Sequence, residues 1–138
     1  MILDTNVISE LMKPEPSRVV LEFLDRLDSD GLYTTSISVA EIGTGLALLP
    51  TGRRRVGLAS AADALFALFS DRILDFDVPA AQHYGHVVAH RTSIRRPIAA
   101  ADAMIAAICL DRGWQLATRN VQDFSDLGID VLDPWVTK

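Results

Sequence analysis

Short apolar runs alternate with longer segments whose apolar residues recur every three or four positions, along nearly the whole chain. The short runs are typical of buried parallel strands, and the longer segments are typical of helices with one buried face. We expect strands within residues 1–3, 32–35, 73–76, 114–118 and 129–132. We expect helices over residues 5–13, from Ser17 to the break at Asp30-Gly31, from Ser38 to Leu49, over about 53–70, from Asp77 to just before Pro97, and over 98–110. This order predicts a single α/β domain over residues 1–138, with a central, mostly parallel sheet of four to five strands flanked by helices on both faces.

Composition is ordinary for one globular domain and argues against several functional classes. The chain has 138 residues, of which 49% are hydrophobic and 22% are charged. Its net charge of −5 argues against a protein that coats nucleic acid by bulk electrostatics, but not against one that binds phosphates locally through a metal. Cys109 is the only cysteine, so a disulfide framework is excluded. No signal peptide or membrane-spanning run is visible, so we expect a cytoplasmic protein without a membrane partner.

Basic charge is almost entirely arginine and falls in two clusters along the chain. One cluster is Arg53-Arg54-Arg55, and the other comprises Arg91, Arg95 and Arg96. A solvated surface is the favoured interpretation of each cluster. A rim that grips phosphates or carboxylates is the sharper alternative.

Two acidic residues stand where a predicted strand gives way to a helix. Asp4 directly follows the first apolar run, at the edge of an open α/β sheet where ligands bind. Taken alone, Asp4 is better explained as a cap of the following helix. Glu41 closes the pattern Ser38-x-x-Glu41 ahead of an apolar run, which fits a capping box in which Glu41 bonds back to the Ser38 amide. That structural explanation of Glu41 and a functional one are equally open at this point.

Asp102 is harder to explain by structure alone. It lies in the first turn of a predicted helix that is apolar all round, and it shares a face with Ile105, Ala106 and Cys109. The amino terminus of a helix favours negative charge by roughly 0.3–1 kcal/mol, which is too little to offset the burial of a carboxylate. We therefore expect Asp102 to need a cation.

The predicted fold brings these acidic residues together. Asp4, Glu41, Asp102 and the loop Asn120–Asp123 all lie at or just beyond the carboxyl ends of strands, so they converge on one edge of the sheet. Converging carboxylates repel one another unless a positive charge sits among them, and no lysine is positioned to supply it. Mg²⁺ or Mn²⁺ with oxygen ligands is the physical candidate. Because such an ion activates water for attack on phosphorus, hydrolysis of a phosphate ester is the simplest chemistry for this set.

With these residues the chain resembles the PIN-domain nucleases, and among them the VapC-like toxins of bacterial toxin–antitoxin pairs, especially the FitB-type subgroup. The matching segments are residues 1–10 (MILDTNVISE), 38–41 (SVAE), 98–102 (IAAAD) and 117–120 (ATRN), followed by Asp123-Phe124. Each segment is a weak match alone. Together they span nearly the full length in the family's order, which makes the set specific.

The resemblance implies a PIN-like fold and a Mg²⁺- or Mn²⁺-dependent endoribonuclease that hydrolyses RNA phosphodiester bonds and is inhibited by a cognate antitoxin. It implies that Asp4 and Asp102 bind the metal directly. Glu41 would bind the metal through water or position the attacking water. The same resemblance suggests residues that orient those carboxylates, namely Thr5, Asn6 and Thr118.

The resemblance also implies protein partners, the antitoxin and a second copy of the chain in a homodimer or higher assembly. The predicted helices around Leu46–Leu49 and Leu65–Phe69 carry more apolar residues than one small core obviously needs. They are therefore candidates for a dimer face and an antitoxin groove, with core packing as the alternative.

One position departs from the family pattern. The family often has an acidic residue where this chain has Asn120, so either the Asn120 amide oxygen holds a metal-bound water or Asp123 supplies the fourth charge. This departure motivates an alternative function, a weakly active or degenerate nuclease that acts mainly as an antitoxin-binding partner in a DNA-bound autoregulatory complex. A phosphatase of the Asp-nucleophile type is a weaker alternative, because it needs a second acid where this chain has Asn6 and a lysine near the site.

Overall fold

The computed structural model describes residues 1–136 and places a parallel sheet between two layers of helices. The strands are β1 (Ile2–Leu3), β2 (Thr34–Thr35), β3 (Ile73–Leu74), β4 (Leu116–Ala117) and β5 (Val131–Leu132). The α-helices are α1 (Thr5–Met12), α2 (Arg18–Asp25), α3 (Ser36–Leu48), α4 (Arg53–Leu68), α5 (Val78–Ser93) and α6 (Ala100–Arg112). Two 3-10 helices cover Ser29–Gly31 and Val121–Phe124. The predicted α/β class, with five parallel strands between helices, is confirmed.

The strands pair in the order β1-β4-β5 and, separately, β2-β3, and every pair is parallel. A single parallel bridge between Ile2 and Tyr33 joins the two groups. In the β1–β4 register Leu3 lies opposite Ala117, and the amide of Asp4 donates to the Ala117 carbonyl at 2.9 Å. The carboxyl ends of β1, β2 and β4 therefore lie side by side, at what we call the carboxyl edge of the sheet.

Successive strand residues face opposite layers, as the two-residue period of a strand requires. Ile2 and Leu116 pack in a cluster that includes α5 and α6, where Val87 and Ile105 are buried. Leu3 and Ala117 pack in a second cluster formed with α1 to α4. Because β1 and β4 are buried on both faces, each reads as an uninterrupted apolar run in the sequence.

The start of α3 contradicts the predicted capping box. The helix begins at Ser36, so Ser38 already lies inside its first turn. Thr35 is the N-cap, and its hydroxyl accepts a hydrogen bond from the Ser38 amide at 3.1 Å. The Ser38 amide is thereby satisfied, and Glu41 bonds elsewhere. At the other end of the chain, α6 ends at Gly113, whose φ of 69° is the left-handed conformation typical of a helix C-cap.

The apolar residues that exceed the needs of the core lie partly at the surface. Leu48 is 80% exposed and Leu68 is 69% exposed, whereas Phe69 next to it is buried. Core packing thus explains some of the apolar residues of α3 and α4, and the homodimer stays a prediction. Within residues 1–136, no helix combines the length and the apolar composition needed to cross a membrane.

Candidate functional site

Asp4 sits at the centre of the carboxyl edge and is only 4% exposed. One of its oxygens, Oδ1, accepts from the Thr5 amide at 2.8 Å, so Asp4 does cap α1. The other oxygen, Oδ2, accepts from the Thr118 hydroxyl at 2.6 Å and from the Asn6 amide group at 3.4 Å. Burial raises the pKa of Asp4, these bonds from Thr118 and Thr5 lower it, and the nearby Glu41 raises it again. Asp4 therefore caps α1 and also belongs to the candidate site.

Asn6 and Thr118 tie the ends of β1 and β4 together around Asp4. The Asn6 side-chain amide donates to the Thr118 hydroxyl at 3.1 Å, and its oxygen accepts from the Arg119 amide at 3.2 Å. The Thr118 hydroxyl also accepts from the Asn120 amide at 3.0 Å. Residues more than a hundred positions apart thereby fix the orientation of one carboxylate.

Glu41 is exposed on α3 and accepts a hydrogen bond from the Thr5 hydroxyl at 2.7 Å. The Thr5 hydroxyl also bonds Ser38 Oγ at 2.9 Å, and Ser38 Oγ in turn accepts from the Thr35 hydroxyl at 3.4 Å. These hydroxyls form one chain that leads from the interior to the Glu41 carboxylate. Ser38 is a contributor that the sequence analysis missed, because its place in the S-x-x-E pattern suggested a cap.

Asp102 lies half-buried in the first turn of α6. Burial, followed by the negative charges of Asp4, Asp123 and Glu41, raises the pKa of Asp102 to about 6. The sequence predicted that an ionised Asp102 without a cation would be unfavourable, and the upward direction of this pKa shift agrees with that prediction. Asp4, Glu41, Asp102 and Asp123 act on one another electrostatically, and we call them the acidic cluster.

Asp123 belongs to this cluster, whereas Asn120 contributes through its backbone. Asp123 lies in the 3-10 helix after β4, and its charge raises the pKa of both Asp4 and Asp102. The Asn120 carbonyl accepts from the Asp123 amide at 3.0 Å, and its own amide binds Thr118. Of the two candidates for the fourth charge, Asp123 is the one whose charge reaches the other carboxylates.

Arg91 contradicts the prediction of a solvated arginine cluster, since it is only 3% exposed. Its guanidinium donates to the backbone carbonyls of Asp123, Ser125 and Arg96. The positive charge of Arg91 lowers the pKa of Asp102, yet that pKa still stands at about 6. Arg91 is therefore a counter-charge that the sequence analysis overlooked, and it falls well short of neutralising the cluster.

Other members of the two arginine clusters lie at the surface, unlike Arg91. Arg96 is partly exposed and pairs with Asp126 at 2.9 Å, so it also fastens the segment after β4. Arg53 and Arg54 are exposed on the first turn of α4, as predicted for a solvated surface.

Comparison with known proteins identifies the family to which this fold belongs. The family model described as "PIN domain" matches residues 1–129. The chain belongs to the PIN-domain family. This PIN domain is 38% identical to the VapC ribonuclease Y4jK of Sinorhizobium fredii over 135 residues, which cover 97% of this chain and 96% of that protein. It is 37% identical to the toxin FitB of Neisseria gonorrhoeae, with 97% of each chain covered. The solved structure of FitAB bound to an IR36 DNA fragment matches with a TM-score of 0.90 and 36% identity, over 99% of this chain and 96% of that chain.

The donor set of this PIN domain fits a hard cation that keeps part of its water shell. All four members of the acidic cluster offer carboxylate oxygens, which Mg²⁺ and Mn²⁺ prefer. Within the described residues 1–136, no three His, Cys, Asp or Glu side chains are close enough to enclose an ion by themselves. A bound Mg²⁺ commonly keeps several waters and uses only one or two protein carboxylates. The arrangement is therefore suited to Mg²⁺ and unsuited to a closed zinc-type site.

A groove on this PIN domain leads away from Glu41 between α1 and the two helices α3 and α4. Its first part has a volume of about 280 Å³ and an apolar floor that includes Ile42, Leu46 and Leu58. An adjoining part of about 630 Å³ continues along α1 and α4. Lys13 and Arg54 line both parts. The groove is acidic at the Glu41 end, apolar along its floor and basic on its far rim.

Proposed function

We propose that the protein is a metal-dependent endoribonuclease, the toxin of a toxin–antitoxin pair, which hydrolyses RNA phosphodiester bonds at the acidic cluster. One observation carries the proposal: the fold brings Asp4, Glu41, Asp102 and Asp123 from four separate segments to one edge of the sheet, where burial and their mutual repulsion raise the pKa of Asp102 to about 6. Ionised carboxylates that lie this close repel one another, and a bound cation relieves that repulsion at neutral pH. The similarity to a VapC ribonuclease and to the toxin FitB over nearly the whole chain supports the same function.

Asp4 and Asp102 are the residues that would hold Mg²⁺ or Mn²⁺ directly, with Asp123 adding charge. When bound, the cation supplies positive charge for the phosphoryl oxygens and makes an attacking water easier to ionise. Glu41 is the base that positions this water, since it is exposed and, among residues 1–136, it accepts a hydrogen bond from Thr5 through Oε1 alone. Its other oxygen, Oε2, is available to accept the proton of the water. Thr5, Asn6 and Thr118 keep the carboxylates oriented.

Cleavage of structured RNAs by antitoxin-free protein tests this proposal. We expect cutting with Mg²⁺ or Mn²⁺ and none with a chelator, and we expect Asp4→Asn or Asp102→Asn to lower the rate at least about 100-fold. Asp63→Asn is the matched control, because Asp63 is an exposed carboxylate on α4. Cutting that survives in both site variants, or in chelator, would overturn the proposal.

The groove is the site we assign to the antitoxin. Its apolar floor suits the buried face of a peptide segment, the rim of Lys13 and Arg54 suits acidic side chains, and the Glu41 end suits a basic one. Leu46→Asp, on the floor, is expected to weaken antitoxin binding measured by calorimetry, whereas Leu48→Asp, on the exposed part of α3, is expected to leave it unchanged. Equal antitoxin binding by both variants would contradict this assignment and indicate that the antitoxin binds another surface.

A second candidate function is a partner role in a DNA-bound autoregulatory complex. The FitAB structure with DNA favours it, and so does Asn120 at a position that is often acidic. With a net charge of −5, the chain itself is unsuited to contact DNA, so the antitoxin would supply that surface. A mobility-shift assay tests this role with promoter DNA, the antitoxin and the Asp102→Asn variant. A shift that requires the antitoxin and survives in this variant supports the role, and no shift with both proteins present contradicts it.

A further inference from the structure

A buried arginine fastens the segment that carries Asp123. Arg91 lies on α5, and its Nη2 donates to the Asp123 carbonyl and to the Ser125 carbonyl, the latter at 3.1 Å. Its Nη1 reaches the Arg96 carbonyl at 3.4 Å. The guanidinium fork therefore binds the carbonyls of the residues immediately before and after Phe124, and the Phe124 side chain is fully buried in the core.

The surroundings of Arg91 are unusual for a residue that only stabilises the fold. Burial of a guanidinium is unfavourable unless it is paired with an anion, and within residues 1–136 no carboxylate lies within 4 Å of Arg91. Its Nε has no hydrogen-bond partner in that part of the chain. Its hydrogen-bond partners are all neutral carbonyls, and the carboxylate on which its positive charge acts is Asp102 of the acidic cluster.

We propose that Arg91 is a positioning residue of the site. By binding the carbonyls of Asp123 and Ser125, it fixes the 3-10 helix Val121–Phe124 so that the Asp123 carboxylate stays beside Asp4 and Asp102. Asp123 is itself exposed and sits on a single short turn, so its own packing does little to hold it there. The inference rests on the proposed function, because it assigns the fourth charge of the metal site.

The affinity for Mn²⁺, measured by the electron paramagnetic resonance of the free ion, tests this role without any RNA. Arg91→Met removes both the fork and the charge, and Arg91→Lys keeps the charge but loses the fork. We expect Arg91→Lys to bind Mn²⁺ about 10–100-fold more weakly than the parent, as is usual when a partner behind a metal ligand is removed. Arg91→Met should lose less affinity, because removal of a positive charge near the site favours the cation. Each is also combined with Asp123→Asn. If Arg91 acts through Asp123, the double variants bind no more weakly than Asp123→Asn alone.

Arg72→Met is the matched control. The guanidinium of Arg72 also binds three backbone carbonyls, those of Ser29, Leu32 and Leu68, but at the opposite end of the sheet. We expect this variant to lose stability while its Mn²⁺ affinity stays within about twofold of the parent, a range we take as unchanged. Equal losses of affinity in the Arg72 and Arg91 variants would show a general effect of stability and overturn the inference.

The remaining outcomes separate the inference from the proposed function. A parent protein that binds no Mn²⁺ would overturn both. A parent that binds Mn²⁺, with full affinity in Arg91→Lys or with additive losses in the double variants, would overturn the positioning role alone. Should Arg91→Met fail to fold, Arg91→Lys carries the same comparison. Failure of both to fold would assign Arg91 to the core rather than to the site.

Discussion

The pKa of Asp102 depends on burial and on the charges of the whole acidic cluster. Its helix offers a favourable amino terminus, yet burial and the neighbouring negative charges outweigh it and raise the pKa of Asp102 to about 6. At neutral pH and without a cation, the folded protein therefore carries an ionised group that the unfolded chain would accommodate more easily. The same unfavourable charge becomes a source of affinity when a cation is present.

The stability of the metal-free protein should consequently depend on pH through this residue. Because the pKa of Asp102 is higher in the folded than in the unfolded state, its destabilising effect is complete above about pH 6 and absent below about pH 3.8. Asp102→Asn should raise the free energy of unfolding by about 1 kcal/mol at pH 8, after allowance for solvent screening, and by less as the pH falls towards 4. Urea titrations in chelator at both pH values measure this difference.

The exposed Asp63→Asn serves again as the control for that comparison and should change stability by less than about 0.5 kcal/mol at either pH. A gain in Asp102→Asn of the same size at pH 4 and pH 8 would contradict the ionisation argument and point to packing instead.

Single residues also show which parts of the candidate site a sequence can indicate. Asp4 and Asp102 could be selected as candidates because an acidic residue at a strand end or on an apolar helix face stands out in the sequence. Arg91 was missed, although its spacing of four residues from Val87 places it on the buried face of α5. Its hydrogen-bond partners, residues 123 and 125, are distant in sequence, so only the folded chain reveals them.

At the scale of elements, the order and type of strands and helices were predictable, but their ends were not. Each strand contains two residues and is shorter than the segment predicted from its apolar run, because pairing with a neighbour and not composition decides where a strand stops. Thr35 is the cap of α3 because it is the last residue of β2, where it pairs with Leu74 of β3, so the helix begins two residues before the predicted start at Ser38.

Two glycines, one at the end of α6 and one inside α5, allow the backbone of the helices to be tested. Gly113 has a φ of 69° at the end of α6, whereas Gly85 lies within α5, with no atom within 4 Å of an added Cβ. Gly113→Ala should lower the free energy of unfolding by about 1–2 kcal/mol because an alanine is strained in that conformation. Gly85→Ala should raise it by about 0.5–1 kcal/mol because alanine favours the helix. Chemical denaturation measures both effects. A loss of stability in Gly85→Ala would contradict the open space found around this position.

At the scale of the whole molecule, the site joins all the layers of the fold. The acidic cluster takes Asp4 from the turn between β1 and α1, Glu41 from α3, Asp102 from α6 and Asp123 from the segment after β4. A cation that binds this cluster would therefore hold together helices from both faces of the sheet and favour the folded state as a unit.

Thermal unfolding with added metal should show this coupling. At a Mn²⁺ concentration of 100 times Kd, the proposed site should add about 2.7 kcal/mol to the free energy of unfolding and raise the midpoint temperature. Asp4→Asn should lose this increase, whereas Asp63→Asn should retain it. A midpoint that Mn²⁺ leaves unchanged in the parent, at concentrations where it supports cleavage, would contradict a coupling between the cation and the fold.

The strand order has a consequence for the synthesis of the protein. β1 is made first, yet its partner β4 lies at Leu116–Ala117, near the other end of the chain. Ribosomes add about 5–20 residues per second, so about 6–23 s separate the appearance of the two strands. Until then Asp4 lacks Thr118, and Asp123 does not exist. An unfinished chain therefore has no complete site, and the proposed activity begins only when translation is nearly over, which gives the cell that interval to make the antitoxin available.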